Sequence, residues 1–225
     1  MPRLSPLTLA LSSLLAASPA LAQEAGKDAK TLDTLIVTGT RVTDRTVAES
    51  QSPIDIITPE TLQATGTTEL ATALARALPS LNFPRPAVAD GTSGVRPAQR
   101  RGLSPDQVLI LVNGKRRHIS ALVNVNGTIG RGSSAVDLNT IPVAAIERVE
   151  VLRDGASAQY GSDAIAGVVN LVLKGSGRGG SIALGGGEYS EGDGTQWQVS
   201  GDAGLTLSQG GGTVHVAAQT GHQDM

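Results

Sequence analysis

The sequence predicts an α+β fold built around a small mixed sheet, followed by a region of alternating strands. Two apolar runs, Ile146 to Leu152 and Gly167 to Leu173, are too short for helices and rich in β-branched residues, so each is predicted to be a strand. Strand and helix patterns mix along the rest of the domain without a regular βαβ alternation. In the last fifty residues, single apolar residues alternate with polar ones.

Composition limits the classes of protein that the chain can belong to. The 225 residues carry a net charge of −2 and include one Trp, two Tyr and one Phe, so any core must be aliphatic and small. The 28 glycines favour turns, loops and strands over helical bundles. Because there is no cysteine, disulfides, cysteine zinc sites and thiol catalysis are excluded for this sequence.

Residues 1–22 are typical of a cleaved signal peptide. Arg3 supplies the positive end, Leu7 to Ala17 supply the apolar stretch, and Ala20 to Ala22 fit the small-x-small cleavage pattern. The alternative is a membrane anchor, but this apolar run is too short to span a bilayer. We therefore expect an exported protein that no transmembrane helix holds.

Residues 23–45 are predicted to form an arm ahead of the folded domain. The arm begins as a polar segment without periodicity. It then reaches Leu35, Ile36 and Val37, which have high strand propensity but no obvious partner strand. Such a segment is either a docking site for another protein or the first strand of the domain.

The folded domain is predicted to start near residue 46 with a strand and two helices. Pro53 to Ile57 is the predicted strand. Thr58 caps a helix that ends at Gly66, and a second helix continues until Pro79 stops it.

A loop, a hairpin and a tight connection complete the domain. Residues 81–94 contain several prolines and glycines and are predicted to be a loop. Val108 to Val112 is a predicted strand, and Asn113-Gly114 is a strong signal for a two-residue turn before the chain returns at Lys115. Ala156 to Tyr160 is long enough for one helical turn between the two apolar runs.

Residues 85–131 contain eight Arg or Lys residues but only two Asp residues. A patch of this sign attracts anions. The arginines either pair with carboxylates of an enclosing wall, as Arg favours bidentate pairs, or help loops 84–95 and 118–135 to bind an anionic ligand. Nucleic acid is not expected as a partner, because aromatic residues for stacking are scarce and the chain is exported.

One glycine-rich segment has the sequence pattern of a cofactor site. Gly175 to Gly180 matches the G-x-G-x-x-G pattern of dinucleotide-binding proteins. The residues that follow, SIALGGGEYS, are glycine-rich and not helical, so no helix N-terminus would meet a pyrophosphate. We interpret the segment as a linker and expect no cofactor.

Catalytic and metal-binding groupings are sparse. None of the histidines has the i, i+4 spacing of a helical metal pair: His118, His215 and His222. Ser157 and Ser162 lie near aspartates, but no histidine is near them in sequence and the G-x-S-x-G elbow is absent. Arg148 and Glu150 share one side of a predicted strand, which is typical of pairing on a strand surface. We expect neither an enzyme nor a metal site.

Two of these stretches resemble a known family. The run IERVEVLRDGASAQYGSDAIAGVVNLVLK (residues 146–174) resembles the end of the plug domain of TonB-dependent outer-membrane receptors, and RGLSPDQVLILVNGKRR (residues 101–117) resembles the middle hairpin of that domain. Both lie in the family's order, downstream of the signal peptide and of LDTLIVTGTR. The resemblance implies that residues 46–175 are a plug, a compact domain inside a β-barrel of the bacterial outer membrane.

The resemblance also implies a periplasmic partner and a ligand. One segment of the arm is similar to the TonB box, which adds a strand to the C-terminal domain of TonB: Asp33, Thr34, Leu35, Ile36, Val37, Thr38 and Gly39. The loops that face the outside in this family, 84–95 and 118–135, and the residues beside them supply the candidates for contact with a small-molecule ligand, such as an iron–siderophore complex: Arg85, Arg96, Arg100, Arg117, His118, Asn124, Asn126 and Arg131. Energised uptake of a scarce ligand is the implied function.

Residues 176–225 are predicted to begin the barrel. Trp197, Val199, Leu205 and Leu207 alternate with polar residues, which gives one lipid-facing and one water-facing side. A soluble antiparallel sheet with one wet face would show the same alternation. The position after a plug-like domain favours barrel strands. The resemblance implies a barrel of about 22 strands, which needs far more chain, so we expect a longer receptor.

Two other functions remain open from the residues alone. An exported α+β binding module would need no barrel and would bind its ligand as an isolated domain. An exported hydrolase would need an activity that depends on Ser157, Ser162 or His118.

Overall fold

The computed structural model describes residues 38, 46–50, 52–67, 69–85, 91, 94–125, 130–175, 179–188, 194–207 and 212–224, with Ala48 and Gln223 described by their backbone only. Within these ranges the strands are β1 (Ile54–Ile57), β2 (Leu81–Asn82), β3 (Gln99–Arg100), β4 (Val108–Val112), β5 (Lys115–Arg116), β6 (Ile146–Leu152), β7 (Gly167–Leu173), β8 (Gly179–Gly187), β9 (Gln196–Thr206) and β10 (Thr213–Gln223). The α-helices are α1 (Pro59–Gln63), α2 (Leu70–Ala77) and α3 (Ser157–Tyr160). Short 3₁₀ turns cover Val47–Glu49, Pro105–Gln107, Leu138–Thr140, Val143–Ala145 and Ser162–Ala164. The predicted signal peptide and most of the predicted arm lie outside the described residues.

A five-stranded mixed sheet forms the centre of the first domain, in the order β1-β6-β7-β4-β5. The neighbours β6 and β7 are the two apolar runs, and they pair antiparallel, with Glu150 opposite Asn170. Strand β4 pairs parallel to β7, and β5 returns antiparallel to β4. The predicted mixed sheet is therefore confirmed, and so are the predicted strands that correspond to β4, β5, β6 and β7.

Apolar side chains cover both faces of this sheet. One face packs against α1 and α2, whose leucines are fully buried: Leu62, Leu70 and Leu74. The opposite face carries a smaller cluster around Leu109, Leu152 and Val168, which Ala164 covers. Burial on both faces explains why the strands are nearly continuous apolar runs rather than alternating ones.

Two of the local signals for helix and turn formation hold in the structure. The Thr58 hydroxyl accepts a hydrogen bond from the Thr61 amide at 3.4 Å, so Thr58 caps α1. The hairpin turn between β4 and β5 has φ of 49° at Asn113 and 75° at Gly114, which is the left-handed geometry that the Asn-Gly pair favours.

Three local predictions were wrong. Part of the predicted loop 81–94 is ordered as β2, which pairs with β3. The glycine-rich segment that we interpreted as a linker forms β8 from residue 179 onward. Glu150 was expected on a strand surface, but its side chain is 0% exposed because that face of β6 is covered, and Thr38 and Asn170 donate hydrogen bonds to its carboxylate there.

The second sheet is an antiparallel meander of β8, β9 and β10. Its outward side carries exposed apolar side chains: Ile182, Leu184, Trp197, Leu205, Val214 and Val216, of which Ile182 is 76% exposed. Its inward side is polar, with Ser200 buried, and faces the first domain. There the Val143 amide donates to Gln219 Oε1 at 3.3 Å. The predicted alternation of apolar and polar sides is confirmed.

Among the residues that the structure describes, no helix is long and apolar enough to cross a membrane.

Candidate functional site

A polar cluster lies at the start of α2, around the carboxylate of Glu69. Arg96 Nε donates to Glu69 Oε1 at 2.9 Å, and Asn139 Nδ2 donates to the same oxygen at 2.9 Å. Arg85 and the hydroxyl of Thr72 bond to the other oxygen, Oε2. One carboxylate therefore ties the loop after β2 and the segment before β6 to the helix.

The environment of Glu69 strongly favours its charged form. Burial works in the opposite direction, but hydrogen bonds from Thr72 and Asn139, the charge of Arg85 and the bond from Arg96 lower the pKa of Glu69 to about 2. The carboxylate is thus ionised at neutral pH and neutralises part of the basic segment 85–131.

Arg100, a proposed ligand contact, lies in the interior and is only 4% exposed. Its Nη1 donates to the carbonyl oxygens of Leu152 at 3.1 Å, Arg153 at 2.6 Å and Ala166 at 3.4 Å. Burial, together with the nearby charges of Arg101 and Arg153, lowers the pKa of Arg100. This side chain holds the end of β6 against the start of β7.

The loop after β5 is narrow and internally bonded. The Ser120 amide donates to the Ala135 carbonyl at 2.8 Å, and the amide of Asn124 donates to the Ser133 carbonyl at 2.9 Å. Asn124 is buried between these two sides, while Arg131 is exposed near the tip. The proposed contact Asn126 lies outside the described residues.

The two loops that we expected to face a ligand approach each other. A Cβ atom at Gly91 would lie 3.6 Å from Leu122 Cδ1, so the loop after β2 approaches the loop after β5. His118 is exposed beside this second loop, and Arg117 Nη2 lies 3.5 Å from the Thr140 hydroxyl. Of the candidates that the structure describes, His118 and Arg131 have exposed side chains. Arg85 is also exposed, but it is paired with Glu69, as is the less exposed Arg96.

Sequence reasoning missed the acidic partners of the basic segment. Arg116 pairs with Asp163, Arg101 lies 3.7 Å from Asp154, and Glu69 takes two arginines. These carboxylates belong to the same domain rather than to an enclosing wall. The only available signal was the local excess of positive charge, which requires partners from elsewhere in the chain.

The proposed TonB box lies outside the described residues except for Thr38, which is fully buried. The Thr38 amide donates to Glu150 Oε2 at 3.1 Å, and the Thr38 hydroxyl donates to the same oxygen at 2.7 Å. Glu150 also accepts from Asn170 Nδ2 at 3.3 Å and from Arg148 Nε at 3.1 Å. Arg148, Glu150 and Asn170 lie on β6 and β7, so the sheet positions the side chains around the carboxylate that Thr38 contacts.

The fold and the order of its parts define a plug domain followed by the antiparallel strands β8, β9 and β10, which we call the wall strands. Residues 46–168 match the family model of the TonB-dependent Receptor Plug Domain, which is more than half of the chain. The protein therefore belongs to the TonB-dependent receptor family.

Relatives of known function share this part of the chain. The ferric enterobactin receptor PirA of Pseudomonas aeruginosa is 35% identical over 130 residues, which are 55% of this chain and 17% of that protein. The vitamin B12 transporter BtuB of Vibrio vulnificus is 34% identical over 192 residues, which are 82% of this chain and 28% of that protein. The chain thus spans less than a third of these relatives.

Solved structures give the same assignment. A mutant of the ferric enterobactin receptor PfeA from Pseudomonas aeruginosa, in complex with enterobactin, superposes with a TM-score of 0.57 at 25% identity. The match covers 78% of this chain and 25% of that one. The siderophore receptor PirA from Pseudomonas aeruginosa matches with a TM-score of 0.54 at 25% identity, over 78% of this chain and 30% of that one.

Proposed function

We propose that this chain is the plug and the first wall strands of an outer-membrane receptor that takes up a scarce ligand, with an iron–siderophore complex as the leading ligand class. The names of the similar proteins support this class, since ferric enterobactin receptors and a siderophore receptor are among them. The observation that carries the proposal is the three-stranded sheet directly after the plug. Its apolar side faces outward and its polar side faces the plug, as a wall between lipid and plug requires.

We propose the following division of the chain. Residues 1–22 direct export, residues 23–45 form a periplasmic arm, residues 46–175 are the plug, and residues 176–225 begin the barrel. The transmembrane wall is completed by further strands, because a sheet edge has no water to satisfy its backbone groups within lipid. No chemical step on the ligand is part of this function.

TonB is the proposed partner that drives uptake, using energy from the inner membrane. Ligand binds at the outer loops, the segment Asp33 to Gly39 is captured by the C-terminal domain of TonB, and a pull on it displaces the plug so that ligand passes. The strand propensity of Leu35 to Val37 supports capture by strand addition.

Energised uptake by the full-length receptor tests this role of the arm. Leu35→Pro removes an amide from the segment and prevents it from adding as a strand, so uptake of ferric enterobactin should fall about tenfold or more while binding at the cell surface persists. Lys27→Pro, in the same arm but outside the segment, is the matched control and should leave uptake unchanged. Normal energised uptake by Leu35→Pro would refute the assignment of the TonB box.

Surface binding tests the outer loops. Arg131 is exposed near the tip of its loop, so Arg131→Glu should weaken binding of the anionic complex of iron and enterobactin severalfold. Lys115→Glu makes the same charge change at an exposed position beside the hairpin turn and serves as the control. Equal binding by the two variants would show that the 118–135 loop does not contribute to the ligand site.

A further inference from the structure

One side of the loop after β5 is apolar and exposed. Every second residue from 119 to 125 is an exposed aliphatic residue: Ile119, Ala121, Val123 and Val125. The exposed fraction is 60% for Ile119 and 47% for Val123. Between them, Ser120 and Leu122 are half-buried and Asn124 is buried. A segment with one wet side normally places its apolar side chains on the buried side, so this arrangement is the reverse of the usual one.

Hydrogen bonds across the loop hold the exposed row in a fixed shape. The Asn124 amide donates to the Ser133 carbonyl at 2.9 Å, and the Gly132 amide donates back to the Asn124 carbonyl at 2.7 Å. Residues 118–125 and 130–135 thus form two bonded segments, which we call the apolar ribbon. A preformed surface binds a partner at a lower entropic cost than a loop that must first be ordered.

The described part of the wall is not an apolar complement for this ribbon, because its inward side is polar. Gln219 Oε1 accepts from the Val143 amide of the plug at 3.3 Å. Gln198 Nε2 donates to the Gly66 carbonyl at 3.5 Å, and Ser200 is buried. The inner side of an outer-membrane barrel is polar in general, so the apolar ribbon calls for a partner other than the wall.

The charges beside the ribbon indicate the second property of that partner. Arg131 is exposed in one segment, and His118 is exposed at the start of the other. Residues 118–135 contain no Asp or Glu, so no carboxylate in this loop repels an anion. The same residues contain no Phe, Tyr or Trp, so the contact surface is aliphatic. The ribbon therefore suits a ligand that combines apolar area with negative charge.

We propose that the apolar ribbon determines ligand specificity and selects anionic iron chelates with an aromatic surface over hydrophilic chelates of the same sign of charge. The inference rests on the proposed uptake function and names the ligand class more closely. Aromatic rings of the ligand pack on Ile119 and Val123, and its negative charge lies towards Arg131. A hydrophilic chelate would displace water from the ribbon without replacing its own lost hydrogen bonds.

Surface binding of two iron complexes by the full-length receptor tests this selection. The probes are ferric enterobactin, which has aromatic rings, and ferric citrate, which has none. The parent should bind ferric enterobactin at least about tenfold more tightly. Ile119→Ser and Val123→Ser should each weaken that binding about threefold to tenfold and leave ferric citrate unchanged. Ile119→Leu keeps the apolar area and should bind as the parent does. Ile165→Ser, at a 44% exposed position of the plug outside the ribbon, is the matched control and should have no effect.

Salt and hydrogen exchange separate the apolar contact from other causes. The loss in Ile119→Ser should be equal at about 0.05 M and 0.5 M salt, whereas the loss in Arg131→Glu should shrink at high salt, because ions screen only the charge. The Asn124 amide, bonded across the ribbon, should stay protected from exchange in both serine variants. If one of them loses this protection, the other variant decides. If both do, the two side chains maintain the loop itself and the proposal is overturned.

The outcomes distinguish this inference from the uptake function. Equal binding of the two chelates by the parent, or an equal loss of both in the serine variants, overturns the ribbon as the selecting surface and leaves uptake standing. Binding of neither chelate refutes the proposed ligand class and the inference with it.

Discussion

Lys174 Nζ donates to Asp202 Oδ1 at 2.8 Å and so joins the residue after β7 to the second wall strand. The Asp202 side chain is only 4% exposed. Ser181 Oγ also bonds to Oδ1, and His215 Nε2 lies 3.1 Å from Oδ2. The plug is thus fastened to the wall at the point where the chain passes from one to the other.

Removal of the lysine should loosen this junction. Lys174→Met leaves the Asp202 carboxylate without its fixed cation, which should cost about 1–3 kcal/mol of opening free energy for the amides of β7, measured by hydrogen exchange on the full-length receptor. Lys174→Met combined with Asp202→Leu should recover part of this loss, because both partners are then apolar. Lys115→Met, at an exposed position, is the control. A double variant no more stable than the single one would show that the ion pair is not the cause.

The Glu69 cluster should make α2 sensitive to acid. The pKa of Glu69 is lowered from 4.5 to about 2, so its folded form binds a proton less readily than its unfolded form. The resulting stabilisation is fully present above pH 4.5 and is lost as the pH falls through about 2. Because the side chain is 26% exposed, solvent reduces the contribution, which we place at about 2 kcal/mol.

Hydrogen exchange of the α2 amides between pH 2 and 6 checks this dependence. In Glu69→Gln the opening free energy should be lower at pH 6 and nearly independent of pH over that range. Glu147→Gln, which changes an exposed carboxylate, should keep the pH dependence of the parent. The same slope in Glu69→Gln as in the parent would assign the acid sensitivity to another group.

Arg100 should be intolerant of lysine. The guanidinium reaches carbonyl oxygens on both β6 and the segment before β7, whereas an ammonium group is a single point of charge on a flexible stem. Arg100→Lys should therefore destabilise the sheet by about 2–4 kcal/mol, read from exchange of β6 and β7 amides. Arg101→Lys changes the adjacent, exposed residue in the same way and should cost less than about 0.5 kcal/mol. Equal effects at the two positions would contradict the role of Arg100 as the clamp that holds the end of β6 against the start of β7.

Local patterns were sufficient to predict the parts of the fold that depend on neighbours in sequence. The strands β6 and β7 follow from dense runs of β-branched residues, and the hairpin follows from Asn113-Gly114. The alternation in β9 predicted its two faces because a strand has a period of two.

The polar interior could not be predicted, because its partners are distant in sequence. Buried Glu150 accepts hydrogen bonds from Thr38, 112 positions away, and half-buried Glu69 accepts one from Asn139, 70 positions away. Arg100 was proposed as a ligand contact because basic residues are in excess in residues 85–131, whereas its three acceptors lie 52 to 66 positions further on. Charge and spacing identify such residues as important but do not identify their partners.

Gly167, the first residue of β7, should tolerate no side chain. Its φ is 132°, which side chains of L-residues rarely allow, and a Cβ atom would lie 2.6 Å from the Leu152 carbonyl oxygen and 2.7 Å from Arg100 Nη1. Gly167→Ala would therefore strain the backbone and displace the Arg100 clamp at once, so we expect a loss of at least about 2–3 kcal/mol in the opening free energy of β7.

Gly175→Ala is the matched control for this substitution. No heavy atom among the described residues would lie within 4 Å of a Cβ at Gly175, so the same change there should cost less than about 1 kcal/mol. Hydrogen exchange of the β7 amides in the two full-length variants gives the comparison. Equal stability of Gly167→Ala and Gly175→Ala would contradict this prediction. It would show that the close approach of β7 to the end of β6 is not what positions Arg100 for its hydrogen bonds to the three carbonyl oxygens.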